Sequence, residues 1–278
     1  MVRGLAAMTG SNGRTITRVF SAMKDWQGSM VKLRWRAVRA LTPRRIVDSR
    51  GVRMTLHCEN WITQYRWQSF NDKEPETLDW IDRWLQDGDT FFDIGANVGV
   101  YTLYAALRHP RLRAVAFEPE YANLHLLRDN VIANRVQDRV EVYAVALSDR
   151  SGVSQLHIQD LAPGSALHTE SPHVLRTTLA RHPVVWREGI CALTLDEFCE
   201  QTALQPHGLK LDVDGTEPRI LAGAARTLRS PTLRSLILEV PTEPAARARC
   251  EQLLGAAGLR RHRSGPSGRS PNEVWVRS

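Results

Sequence analysis

The feature that most constrains the fold is a regular alternation of strand-like and helix-like segments in the middle of the chain. Short runs of apolar residues alternate with longer runs in which apolar residues recur at helical spacing. The predicted strands are residues 90–94, 113–117 and 140–147, and the predicted helices between them are residues 98–107 and 122–134. Strands separated by helices of this length pair in parallel through crossover connections. We therefore predict an α/β, Rossmann-like fold with a doubly wound, mostly parallel sheet.

The same alternation returns near the end of the chain, after an interruption. Further strands are predicted at residues 209–213, 235–240 and 273–276, and further helices at residues 76–85, 217–228 and 244–257. The interruption is an insertion at about residues 153–190, with one extra strand at residues 155–158 and a long irregular stretch rich in Pro, Gly, Ser and His. Insertions of this kind often build a substrate site.

Composition and charge divide the chain into three predicted parts. Residues 1–50 carry eleven Lys and Arg against Asp25 and Asp48, and form a basic extension within a chain of net charge +7. Residues 51–70, rich in Thr, Trp and Tyr, are predicted to form a β-hairpin that leads into the domain. Residues 71–278 form the domain that contains the alternating segments.

The location of the protein is predicted from its cysteines and its apolar runs. The four cysteines are widely spaced and form no CxxC pair, so they indicate neither a zinc site nor a disulfide framework. No apolar run reaches the length of about 18 residues that a transmembrane helix needs, and no signal sequence is recognisable. We expect a cytoplasmic protein without a transmembrane segment.

An acidic residue and two glycines follow the first predicted strand of the alternating region. Ligands of open parallel sheets bind beyond the carboxyl ends of the strands, where Asp93, Gly95 and Gly99 are expected to lie. Glycine lets the backbone turn tightly and approach a ligand closely. A carboxylate in front of the glycines repels a pyrophosphate but attracts an ammonium or sulfonium group. The motif therefore favours a zwitterionic, cationic cofactor, and the absence of GxGxxG argues against a nicotinamide dehydrogenase.

Polar residues also follow the next two predicted strands. Glu118, in a Phe-Glu-Pro sequence, can accept hydrogen bonds from both hydroxyls of a ribose, as the comparable acidic residue does in dinucleotide enzymes. The third strand ends at residues 146–149, beside which an adenine could lie. Three such signals in order at three strand ends indicate one nucleoside-containing cofactor.

Five motifs, in this order and spacing, resemble the FkbM family of S-adenosylmethionine-dependent methyltransferases. They are residues 88–102 (GDTFFDIGANVGVYT), 117–119 (FEP), 146–149 (ALSD), 194–196 (TLD) and 210–217 (KLDVDGTE). The resemblance covers about residues 74–240. It implies the class I methyltransferase sheet with an antiparallel last strand, S-adenosylmethionine as the cofactor, and O-methylation of a hydroxyl on a sugar, glycan or polyketide-like metabolite.

The resemblance also implies a set of cofactor-binding residues. Glu74 would reach the amino group of the cofactor, and Ala146 and Ser148 would lie near its adenine. The full set is Glu74, Asp93, Gly95, Asn97, Gly99, Glu118, Ala146 and Ser148. The chain departs from the family in having Asp214 where Glu is usual, which is a conservative change, and in its basic extension, which has no obvious counterpart.

The residues around the fourth main strand are predicted to carry the catalysis. Alternation along the strand sends Lys210, Asp212 and Asp214 to one side. We predict that Asp212 acts as the base or positions the acceptor, and that Lys210 and Glu217 orient it. A divalent cation held by Asp212 and Asp214 is the alternative that we do not favour, so no metal site is predicted. Other candidate bases are His157, His168, His173 and His207.

Two other functions stay open at this point. The basic extension could guide a nucleic-acid methyltransferase, although no motif for base methylation is recognisable. A non-catalytic cofactor-binding module could also have kept the fold. We expect a small-molecule or glycan hydroxyl acceptor and no nucleic-acid partner, and the sequence specifies neither the acceptor nor the oligomeric state.

Overall fold

The computed structural model describes residues 43–176, 183–262 and 272–277, together with residues 29, 30, 33 and 34. Most of the predicted basic extension and residues 177–182 of the insertion lie outside the described residues. The chain divides into two units, Met1–Pro43 and Arg44–Ser278. The second unit contains all the elements described below.

The described residues from Arg44 onward form twelve β-strands and nine helices. The strands are β1 (Arg44–Ser49), β2 (Val52–His57), β3 (Thr90–Ile94), β4 (Arg113–Phe117), β5 (Val140–Tyr143), β6 (Ala146–Leu147), β7 (Gly152–Ile158), β8 (Trp186–Leu193), β9 (Gly208–Leu211), β10 (Ser235–Glu239), β11 (Leu259–His262) and β12 (Asn272–Arg277). The helices are α1 (Trp61–Lys73), α2 (Pro75–Trp84), α3 (Val100–Arg108), α4 (Tyr121–Ala133), α5 (Pro172–Arg176), α6 (Leu195–Thr202), α7 (Glu217–Ala222), α8 (Ala225–Arg229) and α9 (Pro244–Ala256).

A seven-stranded sheet forms the centre of the fold, with the strand order β11-β12-β10-β9-β3-β4-β5. The five strands from β10 to β5 pair in parallel, whereas β12 lies antiparallel between β10 and β11. This topology confirms the predicted doubly wound, mostly parallel sheet and its antiparallel last strand. The strand order reverses between β3 and β9, which is where ligands of such sheets bind.

Both faces of the sheet are covered, so the central strands are buried on both sides. Phe91 packs on one face against Trp80 of α2, with ring centroids 5.7 Å apart. Phe92 packs on the other face against Phe117 and Phe198 at 5.5 and 5.7 Å. A strand covered on both faces is apolar at successive positions, which explains the continuous apolar run at the start of β3.

The predicted hairpin at residues 51–70 is wrong in its second half. The hairpin consists of β1 and β2 and begins at Arg44, whereas Trp61–Lys73 is helix α1. The helix begins with a capping box, in which the Asn60 side chain accepts from the Thr63 backbone N–H at 2.9 Å and Thr63 Oγ1 accepts from the Asn60 N–H at 3.1 Å. This local start signal outweighs the strand preference of the Thr, Trp and Tyr residues that follow.

The insertion contains more regular structure than the sequence predicts. β7 includes the predicted extra strand at residues 155–158 and pairs antiparallel with β8, which lies where an irregular stretch was expected. Helix α6 and strand β11 also have no counterpart among the predicted elements. The predicted helix at residues 217–228 is two helices, α7 and α8, which meet near Gly223. None of the helices found in the described part of the chain is long and apolar enough to cross a bilayer.

Candidate active site

A cleft of about 1060 Å³, part of it open to solvent, lies beyond the carboxyl ends of the parallel strands. Residues of the insertion form one wall, including Ser165 and His168. Seven of the eleven predicted site residues line the cleft: Glu74, Gly95, Asn97, Glu118, Ala146, Lys210 and Asp212. The other four, Asp93, Gly99, Ser148 and Glu217, are not among the lining residues.

Asp93 is buried beneath the cleft, where β3 and β9 lie side by side. Its Oδ2 accepts a hydrogen bond from Thr102 Oγ1 at 2.5 Å, and its Oδ1 lies 3.9 Å from Lys210 Nζ. No described residue donates a hydrogen bond to Oδ1. Burial raises the pKa of Asp93, and the neighbouring Lys210 and Thr102 oppose that rise. Asp93 therefore places a buried carboxylate beside Lys210, and its Oδ1 accepts no hydrogen bond from a described residue.

The two glycines of the loop after β3 adopt positive φ angles, 78° at Gly95 and 82° at Gly99. A Cβ on Gly95 would lie 1.9 Å from the carbonyl oxygen of Asp212, and one on Gly99 would lie 3.0 Å from Leu127. Gly95 is thus required by the packing of this loop on the end of β9 as well as by its position in the cleft wall. Gly99 caps α3 instead of lining the cleft.

Glu118 is held in place by two backbone donors. Its Oε2 accepts from the Asn97 N–H at 2.8 Å and its Oε1 from the Glu120 N–H at 2.9 Å. Burial raises the pKa of Glu118 to about 7, although these donors oppose the rise. The side chain of Asn97 donates to the Ser165 carbonyl at 2.6 Å, so it fastens the insertion to the loop after β3.

Glu74 lies between α1 and α2 and is buried at the edge of the cleft. It accepts from Lys73 Nζ at 2.8 Å and from Thr77 Oγ1 at 3.3 Å. Burial, together with the nearby Glu74 carboxylate, raises the pKa of Tyr101. Glu74 is therefore a fixed negative charge at the end of α1.

Ser148 is directed into a polar network beside the cleft. Its Oγ lies 2.8 Å from a Glu170 carboxylate oxygen, to which it donates, and 3.2 Å from one of Asp149, and Arg219 bridges the same two carboxylates. Glu170 lines the cleft where Ser148 was expected to do so. The sequence could not show this, because Glu170 belongs to the insertion.

Lys210 and Asp212 form an ion pair at the carboxyl end of β9. Lys210 Nζ donates to Asp212 Oδ2 at 2.8 Å and lies 5.3 Å from the centre of the Tyr101 ring. Burial alone would raise the pKa of Asp212, but Lys210 outweighs it and holds that pKa well below its usual range. Because the Asp212 side chain is 27% exposed, an ionised carboxylate faces the cleft.

Glu239 is a residue of this site that the sequence analysis missed. It is the last residue of β10, one position beyond the Leu238–Leu211 pair that joins β10 to β9, and it is hydrogen-bonded to Asp212. Burial and the Asp212 charge raise the pKa of Glu239. The sequence does contain a signal for it, an acidic residue directly after the apolar run of the fifth parallel strand.

Glu217, predicted to orient Asp212, directs its hydrogen bonds to the turn after β9 instead. Its Oε1 accepts from the Val213 and Gly215 N–H groups at 3.2 and 3.1 Å, and thereby closes the turn after β9. No described residue satisfies its buried Oε2. Burial raises the pKa of Glu217 to about 7.

The alternative metal site has no further support in the geometry. Asp214 Oδ2 accepts from the Leu167 N–H at 2.7 Å, so its carboxylate fastens the insertion. In the part of the chain that the structure describes, no three His, Cys, Asp or Glu side chains are placed to hold a metal ion.

Of the four candidate histidines, His168 is the one that lines the cleft. His207 accepts from the Thr90 N–H at 2.9 Å at the amino ends of the strands, on the opposite edge of the sheet from the cleft. His168 lines the cleft, but its ring nitrogens lie 3.0 Å from Ser165 Oγ and 3.4 Å from the Gln159 N–H. Burial lowers the pKa of His168 to about 4, so its ring is neutral. His157 contacts the Thr169 carbonyl. The exposed His173 lies 3.5 Å from Glu243.

The sheet topology and the polar residues at its strand ends define a protein of the class I methyltransferase architecture. The family model "Methyltransferase FkbM domain" matches residues 93–253, more than half of the chain. The 31-O-demethyl-FK506 methyltransferase FkbM of Streptomyces tacrolimicus is 31% identical over an alignment of 195 residues, which covers 63% of this chain and 74% of that protein. The chain belongs to the FkbM family and is an S-adenosylmethionine-dependent methyltransferase.

Two other similarities are more limited. The AMB antimetabolite synthetase AmbE of Pseudomonas aeruginosa is 48% identical over 59 residues, which are 20% of this chain and 3% of that protein. Fibrillarin of Aeropyrum pernix, whose crystal structure contains S-adenosylmethionine, is 15% identical with a TM-score of 0.44; the match covers 84% of this chain and 82% of that chain.

Proposed function

We propose that this protein transfers the methyl group of S-adenosylmethionine to a hydroxyl oxygen of a sugar, glycan or polyketide-like metabolite. The observation that carries the proposal is the ionised Asp212, which faces the cleft while Lys210 and Glu239 hold its carboxylate. The name of the Streptomyces relative describes a 31-O-demethyl substrate, in which the acceptor atom is an oxygen. An oxygen acceptor is the kind of group that a carboxylate can orient by accepting its hydroxyl proton in a hydrogen bond.

The residues around the cleft fit this cofactor. Each oxygen of Glu118 accepts one backbone hydrogen bond, which leaves acceptor capacity for the hydroxyls of a ribose. Glu74 provides a negative charge for the amino group, and Ala146 lines the wall where the adenine is expected. Carboxylates at the ends of β3, β4 and β9 suit a cofactor with a positive charge.

The chemistry requires little of the protein beyond alignment and proton removal. When bound, S-adenosylmethionine supplies a methyl group on a sulfonium that leaves as a neutral thioether. Asp212 would accept a hydrogen bond from the acceptor hydroxyl and so aim the oxygen lone pair at the methyl carbon. As the oxygen–carbon bond forms, the hydroxyl becomes strongly acidic and its proton passes to Asp212. The low pKa of Asp212 suits a group that positions the hydroxyl first and takes its proton late.

The cofactor half of the proposal is tested by calorimetry with S-adenosylhomocysteine. Wild type should bind it, whereas Asp93→Ala and Glu118→Ala should bind it at least about 10-fold more weakly. Each substitution removes a buried carboxylate at β3 or β4, the strands beside which the cofactor is expected to bind. NADH serves as the control ligand and should not bind. Binding of NADH in place of S-adenosylhomocysteine would contradict the cofactor assignment.

The acceptor half is tested by transfer of a labelled methyl group to a panel of sugars, glycans and macrolides. Each acceptor is paired with its deoxy analogue, and RNA is included as the alternative substrate. Asp212→Asn should bind S-adenosylhomocysteine like wild type but transfer methyl groups about 100- to 10,000-fold more slowly. The exposed Asp48→Asn makes the same chemical change away from the cleft and should be fully active. Transfer to a deoxy analogue or to RNA alone would refute O-methylation of a small hydroxyl acceptor.

A further inference from the structure

Three basic side chains line the cleft, and one of them has no acidic partner. Lys73 pairs with Glu74 and Lys210 pairs with Asp212, each at 2.8 Å. Arg66 of α1 forms no ion pair with any residue that the structure describes. Its single hydrogen bond within that part of the chain runs from Nε to the Gly164 carbonyl at 2.7 Å.

This hydrogen bond fixes the direction of the Arg66 guanidinium. Nε is bound to the insertion, so the two terminal nitrogens keep their donors for another group. A guanidinium presents these donors as a planar fork that matches the two oxygens of a carboxylate. Arg66 is therefore an oriented, unneutralised cation in the wall of the cleft.

The neighbours of Arg66 place it near the middle of the cofactor site. Its charge lowers the pKa values of Glu118, Tyr101 and Asp214, although burial leaves all three raised overall. Glu118 and Asp214 follow β4 and β9, and Tyr101 lies in the first turn of α3, so Arg66 lies within electrostatic reach of the ends of β4 and β9 and of the start of α3. The Glu74 carboxylate, just after the helix that carries Arg66, also raises the pKa of Tyr101, and both side chains line the cleft.

We propose that Arg66 binds the carboxylate at the methionine end of S-adenosylmethionine, while Glu74 binds the adjacent ammonium group. An anion in this cleft is otherwise surrounded by acidic side chains, so its favourable position is beside the unpaired guanidinium. Helix α1 and Glu74, the residue that follows it, would then supply both charges for the zwitterionic end of the cofactor. The inference rests on S-adenosylmethionine being the cofactor and does not depend on which hydroxyl is methylated.

The test compares S-adenosylhomocysteine with its decarboxylated analogue, which keeps the amine and lacks only the carboxylate. Calorimetry should show that wild type binds S-adenosylhomocysteine about 10- to 100-fold more tightly than the analogue, the range of a charge-assisted hydrogen bond. Arg66→Met should lose this preference, with weaker binding of S-adenosylhomocysteine and nearly unchanged binding of the analogue. Glu74→Gln should weaken both ligands by the same factor, because both carry the amine.

Arg66→Met also removes the hydrogen bond from Arg66 to the insertion, so a matched control is needed to distinguish that loss from the loss of cofactor carboxylate binding. The Asn60 side chain donates to the Pro163 carbonyl at 2.8 Å, next to the carbonyl that Arg66 holds. Asn60→Ser removes this contact, keeps an oxygen that can cap α1, and should bind both ligands like wild type. Thermal unfolding of each variant verifies that it is folded.

Two results would overturn the inference. If Arg66→Met binds S-adenosylhomocysteine as tightly as wild type, the cofactor carboxylate does not use Arg66. If Arg66→Met weakens both ligands equally, Arg66 acts through the insertion. A failure of O-methylation is a separate result, because it appears in the transfer assay and leaves these binding ratios unchanged.

Discussion

The carboxyl group of Glu239 is hydrogen-bonded to that of Asp212, where β10 and β9 end side by side. Because burial and the Asp212 charge raise the pKa of Glu239, it is the protonated partner and donates this hydrogen bond. We expect Glu239→Gln to retain kcat within about 3-fold at neutral pH, since an amide also donates. Glu239→Ala removes the donor and should lower kcat by about 10- to 100-fold, measured with saturating cofactor and acceptor.

The same pair predicts how activity depends on pH. Above neutral pH, Glu239 loses its proton as the pH passes its raised pKa, and two adjacent carboxylates then repel each other. Wild-type kcat should therefore fall on the alkaline side, whereas Glu239→Gln, which cannot ionise, should not show this fall. The measurement is kcat from about pH 6 to about pH 10 for both proteins. Identical profiles would mean that Glu239 does not control the alkaline limb.

Because Gly95 lies close to the end of β9, adding one methyl group at Gly95 should greatly lower the free energy of unfolding. Gly95 and Gly88 both have positive φ angles, 78° and 92°. A Cβ on Gly88 would have no neighbour within 4 Å, whereas a Cβ on Gly95 would lie 1.9 Å from the backbone carbonyl oxygen of Asp212. Gly88→Ala should lower the free energy of unfolding by about 1–2 kcal/mol through backbone strain alone. Gly95→Ala should cost more than about 4 kcal/mol or prevent folding.

Urea unfolding of the two alanine variants makes this comparison directly. Because both substitutions force alanine into the same backbone region, the difference between their unfolding free energies isolates the clash with Asp212. Equal losses of stability would show that the loop after β3 can move away from β9 without cost.

The residues that the sequence could predict are those that follow from strand order alone. Glu118 and Asp212 each follow a buried parallel strand, and the carboxyl ends of such strands meet at one edge of the sheet. Glu239 obeys the same rule, but its role depends on the side-by-side ends of β9 and β10, which sequence spacing does not specify.

Residues outside the alternating region could not be placed in this way. Arg66 lies in a segment whose aromatic and Thr residues favour a strand, whereas the structure has a helix that begins with the Asn60–Thr63 capping box. Glu170 and Ser165 belong to an insertion without periodicity, and they reach the cleft through contacts with Ser148 and with Asn97. Such contacts join distant parts of the chain, so no local pattern records them.

Glu217 predicts a pH dependence of stability that is independent of catalysis. Burial raises its pKa from the usual 4.5 to about 7, so the folded state binds this proton more tightly than the unfolded state does. The resulting stabilisation is complete below about pH 4.5 and is lost as the pH rises through about 7. Glu217→Gln cannot ionise, and its amide oxygen can still accept from the Val213 and Gly215 N–H groups.

We therefore expect the stability of Glu217→Gln relative to wild type to increase with pH. The two proteins should differ little near pH 5, and the variant should be more stable by about 2–3 kcal/mol above neutral pH, as a shift of this size implies. Urea unfolding across this pH range measures the difference, and the raised pKa of Glu118 cancels because both proteins contain it. The exposed Glu251→Gln should show no such trend. A difference between Glu217→Gln and wild type that stays constant with pH would show that Glu217 is already ionised in the folded protein.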